Sequence, residues 1–570
     1  MKNKRLSNLL GVIALLLAAM QIFTGCNDKP VSDLEETESE TDSVYEEERE
    51  LMPLTNNGEA LYCVVYDPKG VEGANMLVNQ LVAKMTEMTG HEIDFRRYSS
   101  NNIASTEGYK HMYVGAVAGY TDGVYRSLKQ NDYRVDIIDG EIIFGGYTYE
   151  KLYLAVGYFY KALLYKDGEL YVDLAKADIG RSSEYLIGDI TVGNTPIYEY
   201  SIVYGDTYTK AYAEKLSRII GDAVGYVLPV VDHSTEECDN EIIVGVTNRN
   251  PNDKPKANGY SISIDGSKVK LVAGDDVSAE MMAAYLLSKI ADTKSAEFLD
   301  ISSVATEYSG DDTVRMMTFN VKNAWGSDVG ARGSQIANMI LLNNLDIVCL
   351  QEYDTSFRKS GNNLQTLLSS RFAEVTVDGV KSENIWNPIF YNKDKYEVVE
   401  SGMTDMYAEG VKCYENLGYP DGDGRSHFRS LVWAVLRDKT TNQRFLIGSL
   451  HYSASGGDHG AESRLLVSKL ADVRARYTDA IVLVAGDYNS TVSNGACSSM
   501  INSGYKNTLA LAKVRGRNEK DVVIGNDIDN ILTVSEESAK ITVQGAVALH
   551  EGNIINFSDH LPVVIQFKVN

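Results

Sequence analysis

Residues Ile481 to Asn489 read Ile-Val-Leu-Val-Ala-Gly-Asp-Tyr-Asn. An unbroken apolar run this short, rich in β-branched residues, reads as a strand buried on both faces, and such a strand has to lie between layers. The run ends at Gly486, and the chain then presents Asp487 and Asn489. Residues two apart on extended chain share a side, which sets a carboxylate and an amide together at the end of a rigid strand. A carboxylate takes a proton or orients a base, and an amide donates to an oxyanion. Phosphate-ester chemistry needs both. On its own Gly-Asp-X-Asn is an ordinary turn signal, so the weight rests on what other segments bring to it.

A chain of 570 residues exceeds what one core supports, and two to four domains are expected. The net charge is −25, yet Asp311 to Asn570 holds 31 acidic and 26 basic residues, so most of the negative balance lies before it. No stretch carries the Lys/Arg density of a binder of long nucleic acid. That argues against tight DNA binding and leaves open the cleavage of small phosphate esters.

The first residues are a targeting segment, set aside from the fold. Lys2, Lys4 and Arg5 precede an apolar run from Leu9 to Met20, followed by Phe23-Thr24-Gly25-Cys26. This resembles a bacterial lipoprotein signal over residues 1–26, with Phe23 where Leu is usual. The resemblance implies that Cys26 carries acyl chains, becomes the new N-terminus and anchors the protein to the outer side of a bacterial membrane. Residues 27–54 are acidic and low in complexity, and such composition stays disordered. Cys63, Cys238, Cys349, Cys413 and Cys497 have no metal-ligand spacing and do not suggest a disulfide framework.

Between residues 55–178 and 190–305 one unit is written twice. Leu61 to Tyr66 matches Tyr200 to Tyr204, Met112-Tyr113-Val114-Gly115 matches Ile243-Val244-Gly245, and Asp139-Gly140 matches Asp265-Gly266, a hairpin signal. Helical patterns follow near Tyr149 to Leu164 and Ala279 to Ile290. Each unit reads β-α-β-β-β-α and weakly resembles the small α/β domains that precede the catalytic domains of some glycoside hydrolases. Neither copy shows paired acids or metal spacing, so both are expected to be spacers, and their tyrosines core residues.

Residues 312–570 are a different text, rich in strands that end in polar residues: Asn320, Gln351-Glu352, His451, Asp487-Tyr488-Asn489 and Ser558-Asp559-His560. The phrases Thr318-Phe319-Asn320-Val321, Leu350-Gln351-Glu352, Leu450-His451, Gly486-Asp487-Tyr488-Asn489, Ile528-Asp529-Asn530-Ile531 and Ser558-Asp559-His560-Leu561-Pro562 stand in one order. That order resembles the endonuclease/exonuclease/phosphatase superfamily, the deoxyribonuclease-I-like fold. The resemblance implies a four-layer α/β sandwich, two packed β-sheets flanked by helices. It implies a Mg²⁺-dependent phosphoesterase with water as nucleophile, Mn²⁺ being the alternative ion.

Residue chemistry agrees with the roles the resemblance implies. Glu352 is a hard oxygen ligand, with Asn320 and Asp559 beside it for the metal. His560 is the general base or orients the water, and Asp487 or Asp529 holds its ring. Deoxyribonuclease I implies Asp487 for that task and abasic-site nucleases imply Asp529. Asn489 donates to the developing charge, His451 binds a phosphate oxygen or protonates the leaving group, and Arg429 binds phosphate. His427, His459 and His550 belong to no phrase and are expected at the surface.

Lys322 stands where abasic endonucleases carry an acid, and His451 where they carry Tyr. Both point toward the deoxyribonuclease, sphingomyelinase and phosphatase branches. Tyr452-Ser453 replaces a common Leu-Asp there, and Asn530 a frequent Tyr. The expected substrates are a small phosphate ester or phospholipid head group, with nucleic acid second. The alternatives are an extracellular endonuclease of the deoxyribonuclease I type, or a lipoprotein binding glycan or a surface partner through its repeats. No feature points to a stable protein partner.

Overall fold

The computed structural model describes residues 50–90, 93–177, 179–181, 183–295, 297–324, 329–359, 361–411, 429–454, 458–491, 498–516, 528–534, 538–549 and 558–570. Cys26, Cys413, Cys497, His427 and His550 lie outside them. No helix among the described residues is long and apolar enough to cross a membrane.

The folded chain begins earlier than its composition suggests. Leu51–Pro53 pairs with Glu169–Asp173, and Leu54 is fully buried. The acidic run therefore gives way to structure before residue 55, where Leu51, Met52 and Leu54 supply apolar surface.

Each repeat is a six-stranded sheet. The first runs Ile179–Arg181, Tyr133–Ile138, Glu141–Gly145, Lys110–Val114, Tyr62–Tyr66, Arg97–Ser99, and the second runs Thr306–Tyr308, Tyr260–Asp265, Lys268–Ala273, Glu241–Val244, Ser201–Tyr204, Val230–Asp232. The order is the same, so the duplication extends to topology. The β-α-β-β-β-α reading misses a strand after the first helix, Arg97–Ser99 or Val230–Asp232, and a closing strand just past each unit. All four are three residues long, too short for alternation to be seen. The Asp139-Gly140 turn has positive φ at both residues, 51° and 80°, as a tight hairpin with right-handed strand twist requires.

Residues 312–570 form two sheets. One has seven strands in the order Phe372–Glu374, Ile389–Asn392, Ile347–Gln351, Val314–Asn320, Val563–Val569, Ile541–Ala548, Val514–Arg515. The other has six: Tyr396–Asp405, Ser430–Asp438, Arg444–His451, Ile481–Asp487, Asp529–Val534, Tyr505–Asn507. Met316, Ile347 and Cys349 from the first sheet meet Ile447, Leu483 and Ala485 from the second in one core. The alternate residues Leu446, Val482 and Val484 face outward onto Leu466, Leu470 and Val473 of helix His459–Arg476. Ile481–Asp487 is thus buried on both faces, as its unbroken apolar run demands.

The outer layer on the seven-stranded sheet has two sources. Ile336 and Ile340 of helix Arg332–Leu342 cover part of it, and helix Asp276–Asp292 of the second repeat covers more, all in a single core with Phe319, Leu350, Val547 and Val564. Met281 lies where a Cβ on Gly545 would meet its Cε at 2.6 Å. Arg315, fully buried, pins the junction by donating to Asp275 (2.8 Å), Ser278 Oγ (2.9 Å), the Asn343 carbonyl (2.8 Å) and Gln566 Oε1 (2.9 Å). The second repeat shares a core with the C-terminal sandwich. It is more than a spacer.

Candidate active site

Neighbouring strand ends from both sheets of the sandwich converge, two from one and three from the other. Asn320 pairs with Gln351 across the parallel strands of one sheet. His451 pairs with Asp487, and Asp487 with Asp529, across the other. Gly486 permits this register, because a Cβ there would sit 2.2 Å from the Leu450 carbonyl oxygen. The chain then turns sharply at Asn489 (φ 46°), whose N–H donates to Asp487 Oδ1 at 2.8 Å. Glu352 also has left-handed backbone (φ 59°), an uncommon state for this residue type that recurs at functional sites.

The Asn320 side chain bridges two carboxylates. Its Nδ2 donates to Glu352 Oε1 at 3.1 Å and to Asp487 Oδ2 at 3.0 Å, while its Oδ1 accepts from Lys322 N–H at 2.9 Å. As placed, Asn320 turns its NH₂ group into the site rather than the oxygen a metal would take. Asn323, which no sequence pattern marks, donates to Glu352 Oε2 from its backbone at 2.9 Å and also from its side chain. Burial pushes Glu352 up, but His451, the Asn323 amide, Asn320 and Arg429 outweigh it and hold the carboxyl below its ordinary range.

Asp487 is the centre. His451 Nε2 lies 3.4 Å and His560 Nε2 3.8 Å from its Oδ2. These two imidazoles and the Asn489 amide overcome its burial and keep it strongly acidic. Asp529 Oδ2 stands 2.7 Å from His560 Nδ1, so Asp529 holds the ring and Asp487 faces the nitrogen that opens to the site. Burial and the Asp487 charge push Asp529 up to about 7, offset in part by His560. Burial opposes the charged form of His560, yet Asp529, Asp487 and Asp559 raise it to about 9. The pair competes for one proton. With two close carboxylates against one ring, the proton belongs on the imidazole.

His451 is buried, and burial with the Arg429 charge lowers its pKa in spite of Asp487. Its Nδ1 is buried without a hydrogen-bond partner. Asn489 Nδ2 donates to the Tyr452 carbonyl at 2.8 Å, and Arg429 Nη1 donates to the same oxygen at 2.7 Å. Tyr452 therefore sets Arg429 and Asn489 side by side, a role no motif announces. His459 is half-buried rather than at the surface: it contacts the Ser453 carbonyl and stacks on Tyr452 at 6.2 Å.

Ser558 Oγ donates to the Asn320 carbonyl at 2.7 Å and accepts from His560 N–H at 3.1 Å, tying the last phrase to the first. Asp559 is about half exposed and pairs with Lys322 at 3.5 Å, at the rim. Among the described residues, Asp487, Asp529 and His560 bring ligand atoms within 4.8 Å of one another and could hold a metal ion. The half-buried Glu352 carboxylate and the buried Asp487 carboxylate share one amide, and Asp529 Oδ1 is buried without a partner. Hard, anionic and under-satisfied oxygens of this kind suit a divalent cation.

Residues 317–560 match the model of the Endonuclease/Exonuclease/phosphatase family, and the resemblance read from the six phrases holds over that span. Among solved structures, the chain is similar to an endonuclease/exonuclease/phosphatase from Bacteroides vulgatus, with 22% identity over 45% of this chain and 99% of that one, TM-score 0.36. It is similar to a mannosyl-6-phosphatase from Bacteroides thetaiotaomicron, at 17% identity over 45% and 99%, TM-score 0.35. It is also similar to the human Nocturnin catalytic domain, at 18% identity over 45% and 95%, TM-score 0.35. No curated protein matches the chain.

Proposed function

We propose that residues 312–570 hydrolyse a phosphate ester with water as nucleophile, assisted by a divalent cation, Mg²⁺ or Mn²⁺. The observation that carries this reading is the Asp529–His560–Asp487 line, with Glu352 joined to it through Asn320. Glu352 and Asp487, with Asp559 at the rim, are the carboxylates that would hold the cation. When bound, it supplies polarisation of the phosphoryl oxygens and stabilises the leaving oxygen.

The chain's own groups supply the proton traffic. Asp529 fixes the proton on His560 Nδ1 and leaves Nε2 as the atom facing the site; a cation held there would offset the carboxylates that keep the ring charged, and Nε2 would then be free to take a proton from water. The second N–H of the Asn489 amide and the Arg429 guanidinium, both set by the Tyr452 carbonyl, stand to bind phosphoryl oxygens. His451 directs Nε2 to Asp487 and acts as a positioning residue in this arrangement.

The test is hydrolysis of bis-p-nitrophenyl phosphate by the whole chain in heavy-oxygen water. We expect loss of turnover after chelation, recovery with Mg²⁺ or Mn²⁺, and label in the phosphate product. Full activity after exhaustive chelation counts against the cation. Label absent from the phosphate counts against water as nucleophile.

For substrate we favour a phospholipid head group or small phosphodiester over long nucleic acid, because the chain carries −25 and no dense basic stretch. Plasmid DNA and sphingomyelin vesicles, each with Mg²⁺, separate the two; fast nicking at physiological salt reverses the ranking. We also propose that Cys26 is lipidated and holds the protein outside a bacterial membrane. Cys26→Ser should release the protein or leave it unprocessed with its hydrolytic rate unchanged. Retention on the membrane after signal removal would overturn the anchor.

A further inference from the structure

Away from the catalytic site, the first repeat carries an open groove of ≈ 600 Å³ between helices Ala74–Met88 and Tyr149–Phe159. That volume falls in the range of roughly 300–1,000 Å³ found for small-molecule sites. Gln80, Lys84 and Glu87 line one wall, and Tyr153, Gly157 and Tyr160 the other. Both sets are spaced four and then three residues apart, so each shares a helix face.

The aromatic wall is held in place. Tyr149, one turn before Tyr153, stacks on it at 6.3 Å and 25°. Tyr149 rests in turn against Gly73, where a Cβ would meet the ring at 2.8 Å. Tyr153 nonetheless stays 52% exposed. Gly157 continues the ladder in the last turn of the helix, two residues before it ends at Phe159, and a Cβ there would meet nothing within 4 Å. Glycine inside a helix costs about 1 kcal/mol relative to alanine, and no packing requires it here. What it does is keep the floor of the groove open.

The second repeat shows the alternative. Its corresponding helices, Thr207–Val224 and Asp276–Asp292, are joined by a buried Lys215–Glu280 ion pair at 2.6 Å. The space beneath them, where Leu216, Ile219 and Leu286 pack over Val244 and Leu271 of the sheet, is only ≈ 20 Å³. One copy of the duplicated unit is closed and shares the catalytic core, and the other is open.

We propose that the first-repeat groove binds a neutral oligosaccharide. Tyrosine rings offer flat apolar faces for the C–H faces of sugar rings, with hydroxyls at their edges. Gln80, Lys84 and Glu87 offer the donors and acceptors that sugar hydroxyls need. Lys84 and Glu87 lie 3.4 Å apart, so their charges offset each other and the groove selects neither an anion nor a cation. This site is independent of the phosphoesterase reading.

The test is calorimetric titration of the whole chain with maltoheptaose, mannopentaose, xylohexaose and chitohexaose, and with a heparin-derived decasaccharide as the charged control. We expect a neutral member to bind with Kd below about 1 mM, and Gly157→Leu and Tyr153→Ala each to weaken it about tenfold or more. Gly157→Leu introduces a better helix former into open space, so an undiminished melting temperature confirms the fold. Bis-p-nitrophenyl phosphate turnover should be unchanged in both variants. Binding that survives Gly157→Leu, binding of heparin alone, or no binding of any neutral member overturns the proposal.

Discussion

Asp529 meets Nδ1 of His560 at 2.7 Å while Asp487 lies 3.8 Å from Nε2, so the two aspartates act on opposite sides of one ring. Asp529→Asn should keep the packing and lose the fixed tautomer. We expect kcat to fall by about 10²–10⁴ with KM little changed; steady-state kinetics decides. The same ring gives a pH signature. His560 is raised from 6.5 to about 9, chiefly by Asp529 and Asp487 against its burial. A raised folded pKa adds stability that is fully present below the unfolded value near 6.5 and is lost as pH rises through about 9. The stability gap between the metal-free protein and His560→Gln should therefore narrow from pH 7 to pH 10, measured by urea unfolding. A constant gap would mean that the imidazole is not held charged.

At the scale of elements, strand ends place the chemistry and single contacts place the strands. Gly486→Ala drives a Cβ to 2.2 Å from the Leu450 carbonyl oxygen, so the strand must shift where His451 and Asp487 are paired. We expect a lower melting temperature and lost activity together. Arg315→Met leaves Asp275 buried without its charge partner, and breaking such a pair typically costs about 3–5 kcal/mol; calorimetry measures it. Ile481–Asp487 and Ile347–Gln351 were legible as buried strands because unbroken apolar runs leave no other reading, and each polar end residue was legible by following one. Arg97–Ser99 and Val230–Asp232 were not, since three residues show no period. Asn323 and Tyr452 escaped for a different reason. Each acts on a partner 29 or 37 positions away, Glu352 or Asn489, through ordinary amides and a carbonyl. The choice between Asp487 and Asp529 likewise needed a distance, because sequence order places both at strand ends.

For the molecule as a whole, the second repeat is part of the fold that carries the candidate site. Helix Asp276–Asp292 lies in one core with Phe319, Val547 and Val564, so a chain cut to begin at Thr313 should expose that face and aggregate. A chain that begins at Gly188 and keeps the second repeat should stay soluble and active. Size-exclusion chromatography of the two separates the outcomes, and a monomeric, active Thr313 fragment would show the repeat to be dispensable. The most direct measurement is turnover of bis-p-nitrophenyl phosphate with Mg²⁺ by the whole chain and by Glu352→Ala and His560→Ala, each first shown to melt as a folded protein. The site described here predicts hydrolysis by the parent chain and a loss of at least about 100-fold in kcat for each variant. Full turnover in either would place the reacting centre elsewhere.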